Sequence, residues 1–328
     1  MRKELIILLL LCCIIVSGCS LLQQKKEPPR QEGDRLPQPP ESELNLRETI
    51  LYLPEENWQV LIPVRVYLPW EEGIAKATLR YCTEGNLPTA VAALGFQPLL
   101  PLDTNVLGIS LHNGLARIDF SKDFLNYPRE NERLVLNGLI YTLTEFASIN
   151  AIELLVENQK AALPGDTATD NPFSREFGLN LEVSANVDDF AETERITLYF
   201  CYQAGERIFY VPVTRVVKKT EELLQTVAEE LLAGPLSNMP LFSALPPAIK
   251  IHSVNSAEGK VSLHLAGDMM VKDQLAADCL RHQIALTFTE LEGISTVELL
   301  VNGKEPAMNS EINFPSSFGR PKRWNLVE

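Results

Sequence analysis

The sequence predicts an α+β protein made of two tandem ββαββαβ two-layer sandwich domains, a duplicated fold that follows a signal peptide and a disordered tether. Three observations point there. Residues 141–156 align without gaps on residues 286–301, and half of those positions are identical, so the chain repeats itself. In one strand of each copy, apolar residues alternate with polar ones: Ala116, Ile118 and Phe120 with Arg117 and Asp119, then Val261, Leu263 and Leu265 with Ser262 and His264. That pattern is a sheet with one covered face. The segment behind each strand carries apolar residues at helical spacing, Leu136, Leu139, Ile140, Leu143 and Phe146 in one copy and Leu280, Ile284, Phe288 and Leu291 in the other. Two such helices cover the apolar face.

The elements follow in order. Strand one covers residues 50–53 and, in the second copy, 197–200; strand two covers residues 59–67 and 207–217. Pro63 and Pro212 put part of each second strand at an edge or bulge. A helix follows over residues 71–84 and 220–233, stopped by Gly85 and Gly234. Two strands then join through turns at Asn113-Gly114 and Glu258-Gly259. A second helix (residues 130–148 and 272–292) leads to a last strand (residues 151–157 and 296–301). The copies therefore span residues 49–160 and 194–304, with a polar linker at 161–193 and a tail at 305–328.

The front of the chain reads as an export signal. Arg2 and Lys3 precede an apolar run over residues 5–16 and then Ser17-Gly18-Cys19. The run is too short to span a bilayer, which takes about 20 apolar residues. Val16-Ser17-Gly18-Cys19 resembles the bacterial lipobox. Residues 1–18 are then the signal peptide, and Cys19 becomes the lipidated N-terminus that holds the protein on the extracytoplasmic face of the cell membrane. Residues 19–48, with Pro28-Pro29, Pro37 and Pro39-Pro40, make a Pro-rich tether. A net charge of -14 argues against nucleic acid as a partner. Beyond Cys19 only Cys82, Cys201 and Cys279 remain, which is no disulfide framework.

The repeat serves as a control on candidate chemistry. Cys82 aligns with Leu231 and Cys279 with Leu134, so both are expected to be small buried hydrophobes. Cys201 stands where the first copy has Pro54, with no base predicted beside it. His112, His252, His264 and His282 have no metal-ligand spacing. Glu145 with Glu290, and Glu153 with Glu298, recur as a duplicated helix flank and a duplicated polar strand phase rather than as acid/base pairs. No nucleophile elbow, Walker loop or dinucleotide fingerprint is present. Arg65 and Arg215 read as solvated edge charges, and the basic, aromatic residues 318–324 as a short frayed tail. No catalytic, cofactor-binding or metal-binding residue is predicted.

The segments 195–200, 220–235 with Leu245-Pro246-Pro247, 259–263 and 293–303 resemble the GerMN, or sporulation and spore germination, domain. The first copy departs from the pattern, with Gly85-Asn86-Leu87-Pro88 and Leu100-Pro101 at the corresponding places. The resemblance implies a non-enzymatic scaffold or interaction module of the sporulation and germination machinery. It further implies kinship with ring-building domains of secretion-type complexes. Its partners would be envelope proteins of a sporulation assembly such as the channel complex between mother cell and forespore, with peptidoglycan a further candidate. Two rival readings remain. A glycan- or solute-binding lipoprotein needs an aromatic cleft between the copies, for which Tyr52, Tyr199, Trp58 and Trp324 look dispersed. A wall hydrolase would use Glu145 or Glu290.

Overall fold

A computed structural model describes residues 45–236, 239–306 and 311–328. The signal peptide, Val16, Ser17, Gly18, Cys19 and the tether up to residue 44 lie outside them. Leu46–Glu48, at the end of the stretch read as tether, are strand: Glu48 pairs with Arg65 and Arg47 stacks over Phe146, 5.4 Å from the ring centroid. No described helix is long and apolar enough to cross a membrane.

Both copies follow the predicted order. In the first, β1 (Leu46–Pro54) and β2 (Leu61–Pro69) form an antiparallel hairpin, followed by α1 (Ile74–Tyr81) and the single turn α2 (Thr89–Ala92). Then come β3 (Val106–His112), β4 (Leu115–Phe120), α3 (Glu132–Leu143) and β5 (Ala151–Val156), which pairs parallel with β4. The second copy repeats this after the short β6 (Glu182–Val183): β7 (Thr193–Ala204), β8 (Arg207–Lys218), α4 (Leu223–Ala233), β9 (Lys250–Ala257), β10 (Lys260–Ala266), α5 (Gln274–Phe288) and β11 (Thr296–Val301). The helix at 71–84 is shorter than its pattern suggested. Gly73 sits in the left-handed region at φ 74°, so the acidic pair before it cannot join the first turn.

Alternation explains the core. Ala116, Ile118 and Phe120 are fully buried on β4, as are Val261, Leu263 and Leu265 on β10, and each row lies under the apolar side of α3 or α5. Burying one such side chain stabilises by about 1.5–3 kcal/mol. Thr142 on α3 and Thr287 on α5 are also fully buried; each hydroxyl accepts the backbone N–H of a β1 or β7 tyrosine, Tyr52 at 2.9 Å and Tyr199 at 3.0 Å. These bonds tie each hairpin to the helix of its own copy.

The hairpins do not extend the sheets that hold β3-β4-β5 and β9-β10-β11 in their own copies. β6, from the stretch read as linker, pairs parallel with β8 of the second copy at Arg215 and Val216. β13 (Leu326–Val327), from the tail, pairs parallel with β2 of the first copy at Arg65 and Val66. Each copy thus lends its closing strand to the other, and β12 (Ser317–Gly319) adds to β11 on the way. The tail is therefore anchored rather than frayed, with Phe318, Asn325 and Val327 buried.

The reading of Arg65 and Arg215 as solvated edge charges is overturned by this exchange, whereas Pro63 and Pro212 lie outside the residues that β13 and β6 pair with. β2 and β8 are the middle strands of their sheets, ordered β1-β2-β13 and β6-β8-β7. Arg215 is not a solvated edge charge: it is fully buried, bonded by Nε to Glu182 at 3.1 Å and by Nη1 to Glu230 at 3.0 Å. Arg65 is 15% exposed, paired with Glu48 and laid over the Trp324 ring. A lone arginine in a strand cannot reveal that a distant segment will bring it a carboxylate.

Candidate functional site

The two hairpins meet along β2 and β8, and prolines shape the seam. Pro63 and Pro212 stay in register with Tyr52 and Tyr199 of their own hairpins, but they offer no N–H on the seam side, where their carbonyls accept from something else. Two asparagines supply the donors. Asn180 accepts from Leu61 N at 2.9 Å and donates to Leu61 O at 2.8 Å and Pro212 O at 3.0 Å. Asn325 accepts from Tyr210 N at 2.7 Å and donates to Tyr210 O at 2.8 Å and Pro63 O at 2.7 Å. Each side-chain amide grips the N–H and C=O of one residue of its own copy and the proline carbonyl of the other. Both asparagines are in the left-handed region, φ 50° and 56°, which Asn tolerates better than most residues.

Beside this seam lies a polar cavity of about 460 Å³, lined from both copies. Tyr52 donates to Glu145 Oε1 at 3.0 Å and Tyr199 to Glu290 Oε1 at 2.9 Å. Arg175 and Arg320 each reach the same oxygen with Nη2 at 2.7 Å. Both guanidiniums are fixed further, Arg175 by Thr144 Oγ1 and Tyr141 O, Arg320 by Thr289 Oγ1 and Leu286 O. The Arg175 guanidinium lies 4.5 Å from the Tyr141 ring centroid, and Trp324 meets Tyr199 edge to face at 5.7 Å. Burial first, and the facing carboxylate second, push both Tyr52 and Tyr199 phenols up from their ordinary value. They act as donors, not as bases. Replacing Tyr199 with Phe should cost about 1.5–3 kcal/mol, read as a shift of the urea midpoint, because the hydroxyl bonds two charged groups, donating to Glu290 and accepting from Arg320 Nη2 at 3.0 Å.

The structure thus collects residues that the sequence left apart. Glu145 and Glu290 line one cavity with Tyr52, Tyr199 and Trp324, whereas Trp58 lines a different one. Glu153 pairs with Arg117 at 2.7 Å and Glu298 with Lys260 at 3.2 Å, each on its own sheet. Cys82 is fully buried and its thiol is pushed up to about 12 by desolvation. Among the described residues no group of three or more His, Cys, Asp or Glu could hold a metal ion.

His282 sits against Tyr210, its Nδ1 3.1 Å from the hydroxyl and near Arg281 and Asp278. Desolvation first, then the Arg281 charge, hold it below its ordinary 6.5. Where the unfolded chain takes up a proton and the folded one does not, stability falls as pH falls. A urea midpoint that declines from about pH 7 towards 5 should therefore flatten in His282→Gln.

Arg175, Asn180, Arg320 and Asn325 were missed, although a signal exists. The linker reads Phe173-Ser-Arg175, then Asn180-Leu181, and the tail reads Phe318-Gly-Arg320, then Asn325-Leu326, at identical spacing. Each arginine follows its glutamate by 30 residues. The duplication runs through the linker and the tail, where low overall identity hides it.

Comparison with known proteins agrees with this architecture. The model of the Germane family, described as sporulation and spore germination, matches residues 50–162 and 197–307. Spore germination protein GerM of Bacillus subtilis (strain 168) is 31% identical over 269 residues, covering 80% of this chain and 73% of that protein. The solved structure of the tandem GerMN domains of the B. subtilis sporulation protein GerM superposes with a TM-score of 0.69 at 27% identity, over 86% of this chain and all of the other. Two family matches in tandem and a two-copy structural match lead to one conclusion: the chain belongs to the sporulation and spore germination (Germane) family, with two GerMN-type copies.

Proposed function

We propose that this protein is a lipoprotein, anchored through Cys19 to the outer face of the cell membrane, that acts without catalysis as a scaffold for envelope proteins of a sporulation or germination assembly. The observation behind this reading is the reciprocal exchange of β6 and β13, which joins the two copies in one compact unit. The ionised groups at the seam support it. Glu145, Glu290 and Arg65 are each occupied by an internal partner, as a structural role requires. Deletion in a spore-forming host should impair spore formation, cortex or germination, and unchanged spores on all three counts would defeat the reading. Cys19→Ala should abolish labelling by a fatty-acid probe while the folded part keeps its urea midpoint.

A second reading has a specific observation in its favour. Tyr52, Tyr141, Tyr199 and Trp324 line the seam cavity with three arginines and two glutamates, the mixture of ring faces and fixed polar groups that holds a polyhydroxylated wall fragment. Muropeptides that raise the melting temperature of the wild type but not of Trp324→Ala would support it. Release of fragments from peptidoglycan, lost in Glu145→Gln or Glu290→Gln, would instead establish a hydrolase.

A further inference from the structure

We propose that Cys201 and Cys279 form a disulfide in the mature protein, clipping β7 to α5 in the second copy. The two thiols lie 3.0 Å apart, from positions 78 residues apart in the chain. A disulfide bond is about 2.05 Å long, so closing it takes a movement of only about 1 Å. Cys201 is fully buried and Cys279 is 5% exposed, so the sulfurs face each other in the core.

The repeat gives independent support. The equivalent positions in the first copy are Pro54 and Leu134, neither a cysteine, so both members of the pair occur in one copy and both are missing from the other. Cys82 is the contrasting case. It is buried against hydrophobes only, and its equivalent is Leu231, which is buried in the same way.

The chemistry is thiol–disulfide exchange with a low-molecular-weight disulfide such as oxidised glutathione. Exchange can open at either cysteine; at Cys279 it begins when the thiol loses its proton. Its thiolate attacks one donor sulfur and expels one donor thiolate, leaving a mixed disulfide. Cys201 then gives up its proton and attacks the Cys279 sulfur, expelling the second donor thiolate. Two protein thiols are oxidised, and the donor is reduced to two thiolates, which take up the two protons the protein thiols give up. Because both sulfurs are buried, exchange takes place while β7 and α5 are coming together. The folded bridge then resists reduction.

The test uses the full chain, unfolded under reducing conditions and refolded with reduced and oxidised glutathione, then mapped as peptides without reductant. The main product should be a cross-linked peptide containing Cys201 and Cys279. Reducing that bridge should lower the melting temperature by about 5 °C or more. Cys201→Ala should remove both effects, and Cys82→Ala neither. Cys201 and Cys279 recovered as separately alkylated thiols, or a bridge through Cys82, would overturn the proposal. A bridge whose reduction leaves the melting temperature unchanged would overturn its clipping role.

Discussion

Ending the chain after Gly319 should destabilise the first copy, although every deleted residue belongs to the tail of the second. The deletion removes the Asn325 side chain, whose three bonds to Tyr210 and Pro63 are worth about 1 kcal/mol each. It also removes Val327, 5% exposed, whose burial stabilises by about 1.5–2 kcal/mol. These contacts alone amount to about 4–5 kcal/mol, much of the stability of an ordinary domain, and the deletion also removes Arg320 with its bonds to Glu290, Tyr199, Thr289 and Leu286. Hydrogen exchange locates it: the Arg65 amide, which donates to Asn325 O at 2.8 Å, should lose its protection. A fully protected Arg65 amide in the truncated protein would show that β13 contributes nothing to the first copy. Asn325→Ala alone should reproduce about half the effect.

Arg215→Ala should cost about 3–5 kcal/mol, the range found when one partner of a buried ion pair is removed. Arg215 joins three segments: Glu182 on β6, and both Glu230 and the carbonyl of Gly234 at the end of α4, the latter at 2.7 Å. Its guanidinium also sits 5.4 Å from the Phe200 ring centroid. Arg215→Lys should recover little, because one ammonium cannot reach two carboxylates and a helix-end carbonyl in the geometry of a planar fork. The urea midpoint should drop by a similar amount in low and high salt, since a fully buried pair is little screened. A loss below about 1 kcal/mol would put Arg215 on a level with a surface pair such as Arg129 with Asp166.

Element order was legible in the sequence because each strand and helix declares itself locally. The alternation around Ile118 and Leu263 and the helical spacing of Leu139 and Ile284 need only neighbouring residues. Burial of Cys82 and Cys279 was legible for another reason, since an aligned leucine reports the environment of a cysteine. The seam was not legible. Arg175 and Arg320 act on Glu145 and Glu290 from irregular segments, where no periodicity marks them, and Asn180 and Asn325 do their work through backbone groups far away in the chain. A strand of two residues such as β6 or β13 gives no period-2 signal, so linker and tail looked polar and idle. The Cys201–Cys279 contact is hidden in the same way: an aligned residue reports the environment of one cysteine and carries no sign of the other.

The exchange of β6 and β13 also sets a timetable. A chain is made from its N-terminus, and the first hairpin, Leu46 to Pro69, is among the earliest parts of the folded body to appear. Its third strand is Leu326–Val327, which follows every other described strand in the chain. The earliest hairpin is thus the last to be completed, and neither half has a finished structure of its own to fall back on. Folding and unfolding should then be a single event for the whole 45–328 body, which partial synthesis or a nick in the tail would prevent.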